Sequence, residues 1–174
     1  GSGSSNTDGS ITSTGSANTT SGFSIVKYAG NATVGATVGH GLGAVPKMLV
    51  VKPRNAVEGF AVYHASLGNT IGMYWNLPDA AYTSDLYWND TTPSSTVFTL
   101  HDHVVNNGSG DNMIAYCFAD VEGFSKFNSY TGNGSTNGPF VYTGFKPAFV
   151  ILKRTAASQE WQIYDAVRDP FNVA

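Results

Sequence analysis

The chain has 174 residues, enough for one domain of ordinary size or two small ones, with a hydrophobic share of 41% that can build a core without disulfides or metals. Only 12% of its residues are charged, about half the usual quarter, and Gly, Ser, Thr and Asn fill the gap. Aromatics at 13% and a net charge of −3 argue against disorder, and cations scattered singly or in pairs argue against a nucleic-acid partner.

Cys117 stands alone, so an internal disulfide is excluded; its apolar run, Met113-Ile-Ala-Tyr-Cys-Phe-Ala119, marks it as a small buried hydrophobe. A disulfide-free chain suits folding in a reducing cytoplasm. There is no apolar run long enough to span a bilayer, and the N-terminus has neither the basic start nor the apolar stretch of a signal peptide. Membrane insertion is not expected.

In chain order, residues 1–22 are almost pure Gly, Ser, Thr, Asn and Ala, with Ile11 the only large apolar side chain. They read either as a flexible tether or as an extended strap, which the β-friendly stretch Ser10-Ile-Thr-Ser-Thr14 permits. From Phe23 onward, short runs of Val, Ile, Thr, Tyr and Phe alternate with Gly, Asn, Pro and Asp clusters. Strands are predicted near 23–29, 32–38, 47–53, 59–64, 71–76, 86–88, 96–101, 112–119, 124–130, 139–142, 147–153 and 160–165. Lys47-Met-Leu-Val-Val-Lys52 is continuously apolar between two lysines, the pattern of a strand buried on both faces. Helical periodicity is absent, apart from one turn that Pro78 could start between Leu77 and Asp85.

Landmarks recur at an offset near 101 residues. Gly22-Phe-Ser-Ile-Val-Lys-Tyr is echoed by Gly123-Phe-Ser-Lys-Phe-Asn-Ser-Tyr. Gly43-Ala-Val-Pro-Lys-Met-Leu-Val-Val-Lys52 is echoed by Gly144-Phe-Lys-Pro-Ala-Phe-Val-Ile-Leu-Lys153, and Phe60-Ala-Val-Tyr-His64 by Trp161-Gln-Ile-Tyr-Asp165. In each copy proline fixes φ where a strand begins and lysine marks its exit to solvent. The expected division is a lead-in at 1–22, a first repeat at 23–121 and a partial second repeat at 122–174. A half-repeat leaves strand edges and apolar faces open. Truncation of a longer protein, completion of the first part by the second, and completion by another chain are the three explanations, with truncation favoured.

The same residues, with Val38-Gly-His-Gly-Leu-Gly-Ala-Val-Pro-Lys47, Tyr63-His-Ala-Ser-Leu67, Tyr87-Trp-Asn-Asp90, Tyr116-Cys-Phe-Ala119 and Val121-Glu-Gly-Phe-Ser-Lys126, resemble an uncharacterised repeat domain of marine bacteriophage tail fibre and appendage proteins. Asn6-Thr-Asp-Gly-Ser-Ile-Thr-Ser13 looks like the lead-in of that domain, so the resemblance covers nearly the whole chain. It implies a virion location, a structural or host-attachment role and a homo-oligomer, first of all a trimer, in contact with other virion proteins. It implies no known ligand and no catalytic residues. In that family the second repeat continues beyond the length seen here.

Few constellations point to chemistry. His40 in Gly39-His-Gly-Leu-Gly43 lacks the Gly-Lys-Ser/Thr and following helix of a phosphate loop, and reads as a turn histidine bonding backbone groups. On a strand, His101 and His103 would share a face and make a weak candidate metal pair, but two ligands are not a site. Asn107-Gly-Ser-Gly110 lacks a nucleophile elbow, and Asp79, Asp85, Asp90, Glu122 and Glu160 show no pairing that sequence can establish. No enzyme activity and no cofactor are expected.

Tyr74, Trp75, Tyr82, Tyr87, Trp88 and Asn89 are more suggestive. Sugars bind through CH contacts to aromatic faces and through amide hydrogen bonds, so this group is a candidate glycan or receptor contact. Core or subunit packing is the alternative, because adjacent strand residues point to opposite faces. The expected fold is an antiparallel β-sandwich with jelly-roll-like packing. The expected function is a structural and adhesive module of a phage tail fibre or other virion appendage. A glycan-binding surface module and a fragment of a polysaccharide-degrading tail protein are the alternatives.

Overall fold

The computed structural model describes residues 3–167. The last part of the predicted second repeat, 168–174, lies outside them. The protein is all-β with antiparallel sheets, and no helix of the described residues is long and apolar enough to cross a membrane.

The uncharged lead-in is extended structure. Strands β1 (Ser4–Asn6) and β2 (Ser13–Asn18) pair with each other, and β2 pairs with β3 (Phe23–Ala29). Ile11 drops into the core at 7% exposure, its N–H bonding Thr37 O at 3.0 Å. Ser13 Oγ donates to Gly39 O at 2.9 Å. One apolar anchor and backbone pairing therefore order a segment too polar to fold alone. The tether reading gives way to the strap.

Strand β4 (Ala36–Gly39) is followed by β5 (Met48–Pro53), β6 (Ala61–His64), β7 (Ile71–Gly72), β8 (Tyr82–Thr83) and β9 (Val97–Leu100). A single helical turn, α1 (Val104–Asn107), precedes β10 (Asn112–Phe118), and β11 (Phe149–Leu152) and β12 (Gln162–Asp165) close the described chain. The main sheet runs β1-β2-β3-β10-β5-β6. Two-stranded sheets β4-β9, β7-β8 and β11-β12 complete the set.

Strand β10 sits between β3 and β5, both far earlier in the chain, and every residue of β10 pairs with β3. As expected of a doubly buried strand, β5 contributes to two apolar clusters. Leu49 and Val51 join Val26, Val38, Tyr63, Phe98, Leu100, Met113 and Cys117 in the main core, which spans the six-stranded sheet and the β4-β9 pair. Met48 and Val50 join Val62 and Met73 on the other face. Burial pushes the Cys117 thiol up to about 12, as befits a packed, unreactive side chain.

Several sequence expectations fail locally. Residues 86–88 form a turn, 124–130 contain only the isolated bridge Val121↔Ser125, and 139–142 have no strand. Pro78 starts no helical turn; Tyr82–Thr83 in that stretch pairs with Ile71–Gly72 instead. The one helix among the described residues, α1, is not among the sequence expectations. It forms because His103 caps it, Nδ1 accepting from Val105 N–H at 3.2 Å.

The hairpins β5-β6 and β11-β12 have matching registers. Met48 faces His64 as Phe149 faces Asp165, and Val51 faces Ala61 as Leu152 faces Gln162. Ala65 N–H bonds Lys47 O at 2.8 Å, and Ala166 N–H bonds Ala148 O at 2.9 Å. The lysine at each strand exit folds back over its own loop: Lys52 Nζ reaches Glu58 O at 2.7 Å and Lys153 Nζ reaches Gln159 O at 2.8 Å.

Candidate functional site

The aromatic candidates divide into three groups. Tyr74, Tyr82 and Tyr87 converge: Tyr87 Oη lies 2.9 Å from Tyr74 Oη and 2.5 Å from Tyr82 Oη. Their backbones are brought together by the Ala61↔Tyr74 bridge and the short β7-β8 pair, with Gly72 packed against the Tyr82 and Tyr87 rings where a larger residue would clash. Desolvation of the mutually bonded phenols raises Tyr82 to about 12 and lifts Tyr87 further, so these two are neutral donor-acceptors.

Trp88 goes inward. It is 1% exposed, lies edge-on to Tyr63 with ring centroids 5.8 Å apart, and its indole N–H has no hydrogen-bond partner among the described residues. Tyr87 is likewise buried at 5%. Both are closed to a ligand, which corrects the expectation that they contact one. The reason is the turn at 86–88: strand alternation does not apply there, so both rings enter the core. Asn89 sits in the left-handed region at φ 50°, half-buried, in the same turn.

Trp75 stacks on Trp161, centroids 4.6 Å apart at 24°. The Trp161 indole donates to Tyr74 O at 3.1 Å. Lys153 Nζ donates to Pro78 O at 3.0 Å, Gln159 N–H donates to the same carbonyl at 2.7 Å, and Ala81 N–H bonds Thr155 O at 3.0 Å. The β11-β12 hairpin thus docks on loop 73–84. Trp161 was not among the sequence candidates, although its match to Phe60 at an offset of 101 pointed to an aromatic at that place. The outward remainder is Tyr82, with Tyr74, Trp75 and Asn89 half-buried.

The two candidate metal residues do not lie on a strand, because β9 ends at Leu100. His101 Nδ1 bonds the neighbouring Asp102 carboxylate at 2.5 Å, and His103 Nδ1 is occupied by its capping bond. Among the described residues, no three His, Cys, Asp or Glu side chains are grouped to hold a metal.

His40 is 2% exposed, Nδ1 accepting from Leu42 N–H and Nε2 lying 3.2 Å from Ser94 O. Those bonds fix the neutral tautomer with hydrogen on Nε2, and desolvation lowers its pKa. Asn106 and Asn107, which sequence reasoning did not single out, are both fully buried. Asn107 accepts from Asn31 N–H at 2.9 Å and donates to Thr33 O at 3.1 Å and His101 O at 2.7 Å. Asn106 donates to Tyr87 O at 2.6 Å, and Tyr28 Oη donates to Asn106 O at 2.6 Å.

Together the sheets and the inward-facing aromatics define an all-β protein of antiparallel sheets, its aromatic residues mostly committed to packing. The chain belongs to a family described as a domain of unknown function (DUF7483), which it matches over residues 1–174. No curated protein and no solved structure matches it.

Proposed function

We propose that the chain is a structural and adhesive module of a phage tail fibre or other virion appendage, working as a homo-oligomer at the virion surface. The observation that carries this reading is a folded antiparallel β protein with only 12% charged residues, whose hydroxyl-rich lead-in is stitched into its main sheet. Such a domain resists unfolding by backbone pairing and apolar burial, and presents a neutral surface for subunit packing. The sequence resemblance to phage appendage domains supports the same reading.

The architecture we propose is a sandwich with jelly-roll-like packing, the six-stranded sheet facing β4-β9. It contains one full unit at 23–121 and part of a second at 122–174. The matching hairpin registers support the repeat. So do the left-handed glycines at equivalent places, Gly22 with Gly123 (φ 64° and 71°) and Gly43 with Gly144 (φ 68° and 84°).

Light scattering on the purified chain tests the assembly reading. A discrete homotrimer supports a fibre module; a strict monomer at all concentrations sinks it. The exposed edge of Tyr82 against half-buried Tyr74, with Trp75 next in the chain, favours a second reading, glycan contact. On a glycan array, Tyr82→Ala should remove binding and leave assembly unchanged; unchanged binding would dismiss this site.

A further inference from the structure

Strands β5 and β11 occupy equivalent hairpins but differ in what lies on their other edge. β5 is paired along that edge by β10, from Met113↔Pro53 to Phe118↔Met48. The pairing is closed at its ends by Lys47 N–H on Phe118 O at 2.7 Å and Arg54 N–H on Asn112 O at 2.8 Å. Among the described residues, β11 pairs with β12 alone.

The faces differ in the same way. Met48, Leu49, Val50 and Val51 are all at or below 7% exposure, whereas their equivalents Phe149, Val150, Ile151 and Leu152 are all exposed or half-buried. On β12, Ile163 is 52% exposed and Tyr164 44%. The edge has none of the usual protections: Phe149-Val-Ile-Leu152 has no charge, no proline and no bulge, and the nearest cation, Lys153, is folded onto Pro78, Arg154 and Gln159 carbonyls.

We infer that the free edge of β11 is a strand-acceptor site, filled by an incoming antiparallel peptide strand of the chemistry of β10. That chemistry is specific. Asn112–Phe118 carries no charge, and its core-facing positions Met113, Ala115 and Cys117 are apolar and 0–1% exposed. Main-chain hydrogen bonds supply the attraction, and the alternation selects the strand and its register. A strand seated this way closes the open edge and extends the hairpin into a three-stranded sheet. The inference rests on the repeat reading, not on the virion reading.

The test uses the whole chain, isotope-labelled, and a synthetic peptide copying residues 111–120 as the probe, under reducing conditions. NMR first checks for the hairpin through cross-strand contacts between Val150 and Tyr164. Their absence would defeat the repeat reading itself. With the hairpin present, the peptide is expected to shift the amide signals of Phe149–Leu152. It should also slow their hydrogen exchange about tenfold at a concentration about ten times its Kd. The same peptide carrying Tyr116→Pro should do neither, since Tyr116, opposite Val50, is one of the β10 residues whose N–H faces β5, and proline removes that ladder donor. No shift in β11, or an equal effect from the proline peptide, overturns the acceptor site while leaving the repeat standing. A dimer that already protects β11 before peptide is added, and that the peptide does not dissociate, overturns it in favour of a second copy as occupant.

Discussion

Asn107 ties together three loops with one amide: the 31–33 loop through Asn31 and Thr33, the His101 carbonyl, and its own helical turn. Replacing it with alanine leaves one part-buried N–H and two part-buried carbonyls without their partner. Asn107→Ala is expected to cost about 2–4 kcal/mol, measured as a lowered denaturant midpoint at unchanged m-value. Sequence could not single it out, because Asn-Gly reads as a turn wherever it occurs and burial depends on what folds over it.

The histidines make stability depend on pH. His40, His64 and His103 all have pKa values lowered from 6.5, in each case chiefly by desolvation. The unfolded chain therefore binds more protons than the folded one between those lowered values and 6.5. Stability is complete above about pH 6.5 and declines as pH falls through the window below it. Thermal melts between pH 4 and 8, scales on which carboxylates also act only at the acid end, should show this decline. His103→Asn keeps a capping oxygen but cannot titrate, so it should make the decline shallower; an unchanged slope would remove His103 from the account.

At the scale of elements, the strap forms the edge of the main sheet with one large apolar anchor, and should open before the core. Ile11→Ala deletes its only large apolar anchor. The expected loss is about 2 kcal/mol, at the low end for core truncations because the site lies at the margin. Hydrogen exchange in β1 and β2 should quicken more than in β10, which is paired on both sides. Equal acceleration in all three would mean that the strap and core open together. The reading of strands from alternation worked best for β3, β5, β9 and β10, where apolar residues face a real core. It failed at 124–130 and 139–142, where no partner strand among the described residues supplies a ladder.

At the scale of the whole molecule, the β11-β12 hairpin is joined to the rest through Trp75–Trp161 stacking and main-chain bonds around Pro78. Trp161→Ala should abolish the near-ultraviolet signature of the stacked indoles and increase proteolysis after Lys153 and Arg154. The main unfolding transition, set by the six-stranded sheet, should hardly move. A large drop in that transition would show that hairpin and sheet unfold as one unit.

Sequence by itself determined the all-β class, the chain positions of most core strands and the buried character of Cys117. These follow from local patterns: alternation, β-branched runs and turn residues at fixed spacings. Only the tertiary structure decided that β10 inserts between β3 and β5, that Tyr87 and Trp88 face inward, and that His101 and His103 bond their neighbours. Strand order and the direction of a turn side chain depend on contacts between residues far apart in the chain, and no local pattern encodes those. The lead-in shows the boundary most clearly. Its composition permits either tether or strap, and a single isoleucine finding a place beside Val38 makes it a strap.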